Sequence, residues 1–172
     1  MKTITVDKIP ESVSLYFAHE GIKREDVLLS LRSDMHSDGT LGDCFVLVLS
    51  DKVVIAEGLI SITSVGKAVP GEKTRNEHFS VSSFVSYSFD DISDPKPEQL
   101  ISTGRVVATV CGEEKLLFNF SSTYKHSASV FCRAVNDIKK NGRFDYDEFV
   151  KEDYENTVCP KCHRRYPDNE LK

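Results

Sequence analysis

Residues 44–56 read CFVLVLSDKVVIA, and this stretch decides the fold. Two runs of apolar residues, 44–49 and 53–56, stand on either side of Ser50-Asp51-Lys52. Short apolar runs that flank a tight polar turn are typical of a β-hairpin. The stretch therefore predicts two antiparallel strands joined by residues 50–52.

Two further strands are predicted, one on each side of this hairpin. Residues 27–31 form an apolar run that reaches the hairpin through the turn Ser37-Asp38-Gly39. In residues 78–89, apolar side chains alternate with serines, which indicates a strand with two different faces. The alternation fails at residues 83–84, so we expect a bulge or a bend there.

A second hairpin is predicted after a proline-containing loop. The loop holds Pro95 and Pro97. Residues 105–111 and 115–120 then form two strand-like runs around Gly112-Glu113.

The periodicity changes after this hairpin and predicts a helix. Apolar residues now recur at the three- and four-residue spacings of one helix face: Tyr124, Ala128, Phe131, Val135 and Ile138. A side chain of residues 121–123 can cap the helix at its N-terminus. Lys139 and Lys140 suit the negative end of the helix dipole, and Gly142 is a suitable stop.

A run of strands followed by one amphipathic helix predicts an α+β fold. An antiparallel β-roll or barrel of about seven strands, capped by the C-terminal helix, buries both apolar faces. Residues 145–155 are rich in acids and predict a solvated helix or linker. An extended C-terminal tail follows.

Composition limits the function classes. The chain of 172 residues is 40% hydrophobic and 28% charged, which is typical of a soluble globular protein. Its net charge of −5 argues against nucleic-acid binding, which needs a basic face. The longest apolar run, 44–49, is too short to cross a bilayer, and the N-terminus lacks the apolar region of a signal peptide. We therefore expect a cytoplasmic protein.

The strongest chemical signal is the pair Cys159-Pro160-Lys161-Cys162. A Cys-x-x-Cys knuckle directs two thiolates at one point, but tetrahedral zinc needs four ligands. We interpret the pair as half of a zinc ribbon whose other half belongs to a longer protein, with no metal expected in this chain alone. Two free thiols or a redox disulfide are the alternatives, although a redox pair requires a helix N-terminus after a strand.

No nucleophilic constellation is visible in the sequence. The other cysteines, Cys44, Cys111 and Cys132, lie in apolar patterns and are predicted to be small buried hydrophobes. No Gly-x-Ser-x-Gly elbow accompanies the many serines of residues 78–89. We expect no catalytic residues and therefore no enzyme.

Residues 137–148 resemble an EF-hand loop, which keeps a calcium-regulated binding module as the alternative function. The third position of the loop is Lys139, which places an ammonium group where a carboxylate should bind the cation. A helix end followed by an acidic helix is the preferred interpretation.

Residues 66–74 come close to a phosphate-binding P-loop. Glu72 places a carboxylate beside the expected phosphate, and a strand follows where the motif requires a helix. We therefore expect no ATP binding here. Lys67, Lys73 and Arg75 leave a weak anion site as an alternative to a solvated loop.

The order of these features resembles the N-terminal cytoplasmic region of a group of bacterial ABC exporters. In that family, a PH-like domain is followed by a Cys-Pro-x-Cys zinc ribbon, transmembrane helices and a nucleotide-binding domain. The resemblance lies in the following segments: 27–55, 87–92, 104–120, 124–140 and 159–167.

The resemblance implies a PH-like domain at 1–142, an acidic linker or helix at 143–158 and a truncated zinc-ribbon half-site at 159–172. Of the zinc ligands, only Cys159 and Cys162 can be transferred, and zinc is implied for the longer protein. The implied function is a non-catalytic accessory or regulatory domain of a transporter at the cytoplasmic membrane face. Its expected partners are the transmembrane and nucleotide-binding domains of the parent, or another protein. Neither nucleic acid nor direct membrane insertion is implied.

Overall fold

The computed structural model describes residues 3–66 and 73–157, with side chains described for 3–63 and 76–153. A first sheet contains five strands in the order β1-β2-β3-β4-β5, and a second contains three in the order β6-β7-β8. β1 pairs in parallel with β2, and all other pairs are antiparallel. The strands are β1 (Ile4–Thr5), β2 (Val27–Met35), β3 (Leu41–Leu49), β4 (Lys52–Gly66), β5 (Lys73–Ser88), β6 (Ile92–Gln99), β7 (Thr103–Val110) and β8 (Glu113–Ser121).

The hairpin predicted from residues 44–56 is confirmed as the pair β3 and β4, and it is buried on both faces. Alternate side chains of β3 enter two different apolar clusters. Cys44, Val46 and Val48 face the second sheet and the long helix. Phe45 and Leu47 belong to the cluster on the opposite face. The first sheet is therefore a middle layer.

A helix that the sequence analysis missed covers that opposite face. α1 (Glu11–His19) packs Val13 and Phe17 against the sheet, and both side chains are buried. The ring of Tyr16 packs against the edges of Phe79 and Phe84 of β5, with centroids 5.7 and 5.8 Å apart. Such edge-to-face contacts add to the burial of the rings themselves.

The second sheet corrects two predictions. Pro95 and Pro97 lie inside β6 instead of a loop, and β6 is an edge strand, where a missing N–H is tolerated. The hairpin of β7 and β8 is confirmed, but its turn is formed by Cys111 and Gly112. Cys111 is exposed there with a φ of 50°, so its predicted burial is wrong, whereas Cys44 and Cys132 are buried as predicted.

The predicted helix is confirmed as α2 (Lys125–Asn141), which packs against both sheets. Its buried side chains include Phe131, which meets Phe118 of β8 edge to face at 5.2 Å. Gly142 ends the helix with a left-handed φ of 71°, as expected of a glycine stop. The predicted side-chain cap is wrong: residues 122–124 form a 3₁₀ turn, and no side chain caps α2.

The acidic segment, predicted as a solvated helix or a linker, forms a helix, α3 (Tyr146–Thr157). One side of α3 is not solvated. Phe144 is buried just before α3, and Tyr146 and Phe149 pack against the same core cluster as α2. A carboxylate oxygen of Asp145 accepts a hydrogen bond from the N–H of Glu148 at 3.0 Å and so caps the helix.

The architecture is mixed α+β, as predicted at that level. The expected roll is divided into two separate sheets that do not close into a barrel over residues 3–66 and 73–157. In the same ranges, none of the helices has the length and apolar character required to span a bilayer.

Candidate functional site

A buried carboxylate holds the turn between β2 and β3. Glu57 of β4 is 5% exposed. Its two oxygens accept hydrogen bonds from the N–H of Ser37 at 2.7 Å and from the Ser37 hydroxyl at 3.0 Å. Nε2 of His36 lies 2.8 Å from the carbonyl oxygen of Gly58 and completes the attachment of the turn to β4.

Asn119 of β8 joins the same turn to the second sheet. Its amide nitrogen donates to the carbonyl oxygens of His36 and Ser37, at 2.9 and 3.2 Å. The carbonyl oxygen of Asn119 accepts a bond from the hydroxyl of Ser33 at 2.6 Å. We call His36, Ser37, Glu57 and Asn119 the polar latch, because together they fix a turn and hold the two sheets together.

The ionisable side chains beside Glu57 of the latch are held in their protonated forms. Cys44 stands opposite Glu57 in the sheet, and burial, reinforced by that carboxylate, raises the pKa of its thiol far above the usual range. Burial, again with Glu57, raises the pKa of the Tyr87 hydroxyl. Both groups stay protonated at neutral pH, and a thiol is a poor nucleophile in that form. The sequence analysis missed the latch because its members lie far apart in the chain.

The most exposed binding feature is the outer edge of β5. β5 is the last strand of its sheet, so the backbone groups on its outer side meet no other described strand. Exposed backbone groups of this kind are a template for pairing with a further strand. A bulge interrupts β5: Ser83 pairs with Glu57 but Val81 pairs with Gly58, so Ser82 is the extra residue. The predicted bulge is thus confirmed, one residue earlier.

The other edges among the described residues are short or blocked. β1 has only two residues. β6 carries Pro95 and Pro97, which cannot donate hydrogen bonds. β8 is tied to β2, since Asp34 accepts bonds from the N–H and hydroxyl of Ser121 at 3.1 and 2.7 Å. β5 is therefore the long strand whose edge is left open in the described part of the chain.

The hairpin of β4 and β5 extends past the end of β3. Asp43 forms the last pair of β3 with β4, at Gly58, and from Leu59 onward β4 pairs only with β5. A carboxylate oxygen of Asp43 accepts a hydrogen bond from the N–H of Ile60 at 2.9 Å, which takes the place of the next ladder bond. Leu59 and Ile62 of this arm are largely exposed.

Two of the sites predicted from sequence cannot be placed. Cys159 and Cys162 lie outside the described residues. So do residues 67–72 of the P-loop-like segment and the side chains of residues 64–75. Across the part of the chain whose structure is described, three or more metal-ligating side chains do not gather in one place.

The segment 137–148 does not form one continuous loop. Its first residues, 137–141, are the last turn of α2, and its last residues belong to α3. Asp137 is paired with Arg133 one helical turn earlier, with a carboxylate oxygen 2.8 Å from Nε. Lys139, the cation at the third position, donates to the carbonyl oxygen of Ile92.

Comparison with protein-family models, with curated proteins and with solved structures finds no match to this chain.

Proposed function

We propose that this chain is a non-catalytic accessory module of an ABC exporter that works through protein–protein contacts at the cytoplasmic membrane face. ATP hydrolysis and transport would belong to other parts of the parent protein. The module would supply a contact surface and half of a metal site.

The order of elements supports a PH-like roll as the basis of the module. Four strands, β2 to β5, follow one another as an antiparallel meander, and β6 to β8 form a second meander of three. α2 comes directly after the seventh of these strands and packs between the sheets. This is the order of strands and capping helix expected of a PH-like domain. α1, which covers the outer face of the first sheet, would be an addition to it.

The observation that carries the proposal is the contrast between buried and exposed polar groups. Glu57 and Asn119 are engaged in holding a turn, and the buried thiols of Cys44 and Cys132 have pKa values raised chiefly by burial. The outer side of β5, in contrast, pairs with no other strand among the described residues, so its backbone offers hydrogen-bonding groups at the edge of the sheet. A surface of this kind suits strand addition by another protein segment.

Cys159 and Cys162 would supply two ligands of a zinc ribbon in the longer protein. Tetrahedral zinc would take two further thiolates from a second Cys-x-x-Cys pair downstream. Zinc would then fix the orientation of the module relative to the membrane-embedded part.

The downstream coding sequence of the gene tests the proposal directly. We expect it to continue into a second Cys pair, hydrophobic spans long enough to cross a bilayer, and a nucleotide-binding domain. A gene that stops at Lys172, or that continues into an unrelated domain, would contradict the exporter assignment.

A further inference from the structure

The direction of the backbone groups along the second half of β5 follows from one hydrogen bond. The N–H of Phe89 donates to the carbonyl oxygen of Asp51 at 2.9 Å, toward the β4 side. Successive residues of a strand turn their N–H and C=O to opposite sides. The backbone groups of Phe84 and Ser86 therefore point away from β4, at the open edge, whereas the carbonyl oxygen of Ser88 accepts a hydrogen bond from the N–H of Asp91 at 3.1 Å.

A second bond settles the first half of the strand. The N–H of Ile60 donates to the carboxylate of Asp43 and so points away from β5. Phe79 stands opposite Ile60, and in an antiparallel ladder two opposite residues either both bond across the pair or both point outward. The backbone groups of Phe79, and of Val81 two residues later, therefore also lie at the open edge.

These outward groups are symmetric about the bulge. About the midpoint between Ser82 and Ser83, Val81 and Phe84 lie at equal distances along the strand, and so do Phe79 and Ser86. Phe79, Val81 and Phe84 also share one face of the sheet, the face covered by α1.

We infer that β5 pairs in antiparallel fashion with β5 of a second copy of this chain, about a twofold axis between Ser82 and Ser83. Val81 of each copy then lies opposite Phe84 of the other, and Phe79 lies opposite Ser86. In every such pair, both residues have backbone groups that point outward and can bond to each other. Their side chains also lie on the same face of the joined sheet.

The distribution of charge along the edge of β5 favours pairing with a second copy of this chain. No residue from Phe79 to Phe89 is charged, although the chain carries a net charge of −5. In the antiparallel arrangement Glu77 lies opposite the uncharged Ser88 of the other copy. A parallel arrangement would place Glu77 beside Glu77, and like charges opposite each other are destabilising.

The inference rests on the proposed function, since it names the partner of the contact surface. The two fail separately: a monomeric protein would overturn the pairing of two copies, whereas the downstream gene sequence decides the exporter assignment.

The test compares Ser86→Pro with the matched control Ser86→Thr. The Ser86 N–H points outward, so proline removes a donor to the second copy without removing a bond between β4 and β5. Threonine keeps the N–H and suits a strand. Light scattering after size-exclusion chromatography, over a range of concentrations, gives the mass of each protein. Circular dichroism confirms that each variant is folded.

We expect the wild-type protein and Ser86→Thr to approach twice the monomer mass of 19.3 kDa at high concentration. Ser86→Pro should dimerise more weakly, with a dissociation constant raised by about tenfold or more, as expected for the loss of symmetric hydrogen bonds at both ends of the interface. A wild-type protein that stays monomeric at every concentration, or a Ser86→Pro variant whose dissociation constant equals that of Ser86→Thr, overturns the inference.

Amide exchange of the wild-type protein tests the register without any substitution. The outward amides of Val81, Phe84 and Ser86 should exchange about tenfold more slowly at high than at low protein concentration. The inward amides of Val85 and Tyr87, already bonded to β4, should not change. Outward amides that exchange at the same rate at all concentrations would contradict the pairing.

Discussion

Replacing Glu57 with alanine tests whether the polar latch fixes the turn between β2 and β3 to β4. The side chain is buried, and both of its oxygens accept hydrogen bonds from Ser37. Alanine removes both acceptors at once and leaves the Ser37 N–H without a protein partner. The turn between β2 and β3 would then lose both bonds to Glu57 and would keep the contact of His36 Nε2 with the carbonyl oxygen of Gly58 in β4.

The expected loss follows from the two bonds. A hydrogen bond to a charged group contributes about 1.5–3 kcal/mol. Ser37 is itself exposed, so water can replace part of what is lost. We therefore expect a loss of about 2–4 kcal/mol in the free energy of unfolding. In a domain of this size, 1 kcal/mol shifts Tm by about 2–4 °C, so a loss of 3 kcal/mol lowers Tm by about 6–12 °C.

Urea denaturation of four proteins gives the measurement: wild type, Glu57→Ala, Ser37→Ala and the double variant. Ser37→Ala removes only the hydroxyl bond and should cost about 1 kcal/mol. Because both residues share that bond, the loss in the double variant should be smaller than the sum of the single losses by roughly 1 kcal/mol. Glu57→Gln, which keeps one oxygen acceptor and the side-chain volume, serves as the control and should lose less than Glu57→Ala. Strictly additive losses, or an unchanged Tm in Glu57→Ala, would refute the latch.

Four further predictions concern Gly58, the labelling of the cysteines, the titration of Cys132 and the proposed metal site. Overpacking a core typically costs about 1–3 kcal/mol. Gly58→Ala should lower the free energy of unfolding by about 3 kcal/mol or more, because the added Cβ would lie 2.2 Å from a backbone oxygen of β5. Urea denaturation measures this loss. Iodoacetamide at pH 8 should modify Cys111 but leave Cys44 and Cys132 unmodified until urea is added, as read by mass spectrometry; equal labelling of all three would contradict their burial. Burial raises the pKa of Cys132 from 9.0 to about 12, so the folded state holds a proton that the unfolded chain releases. This contribution to stability is complete below pH 9 and is lost as the pH rises toward 12, and Cys132→Ala should show a shallower decrease of Tm over that interval. In the longer protein proposed above, cobalt should give the charge-transfer absorption of a thiolate site. Changing both cysteines of residues 159–162 to serine should abolish this absorption, and changing Cys111 to serine should not.

The hairpin at residues 44–56 was predictable because its strands are short apolar runs around a polar turn. The same apolar runs also indicated that the sheet is buried on both faces, which the predicted fold with a single covering helix did not account for. A strand that is apolar at successive positions is buried on both faces, and Phe45 and Leu47 therefore need a second covering layer. α1 supplies that layer with Val13 and Phe17, but its nine residues show too little periodicity to be recognised alone.

Local sequence could not reveal the latch. Glu57 and Ser37 are 20 residues apart, and Asn119 is 82 residues from Ser37. Their contact depends on how the two sheets approach each other, which is a property of tertiary packing. Likewise, Ser121 had the right residue type to cap α2, but its hydroxyl donates a hydrogen bond to the carboxylate of Asp34 instead. The side chain that could have capped α2 is therefore bonded to a residue of β2.

The prolines of β6 and the serines of β5 have a common explanation in the management of sheet edges. Pro95 and Pro97 suggested a loop because proline interrupts a ladder, yet on an edge strand they remove donors that would otherwise attract another chain. β5 has the opposite composition, since residues 79–89 contain neither proline nor charge. Over residues 79–89, the outer edge of β5 therefore lacks the proline and the charge that protect an edge strand. The alternation of serine and apolar residues there agrees with the proposed pairing of β5 with a second copy of this chain.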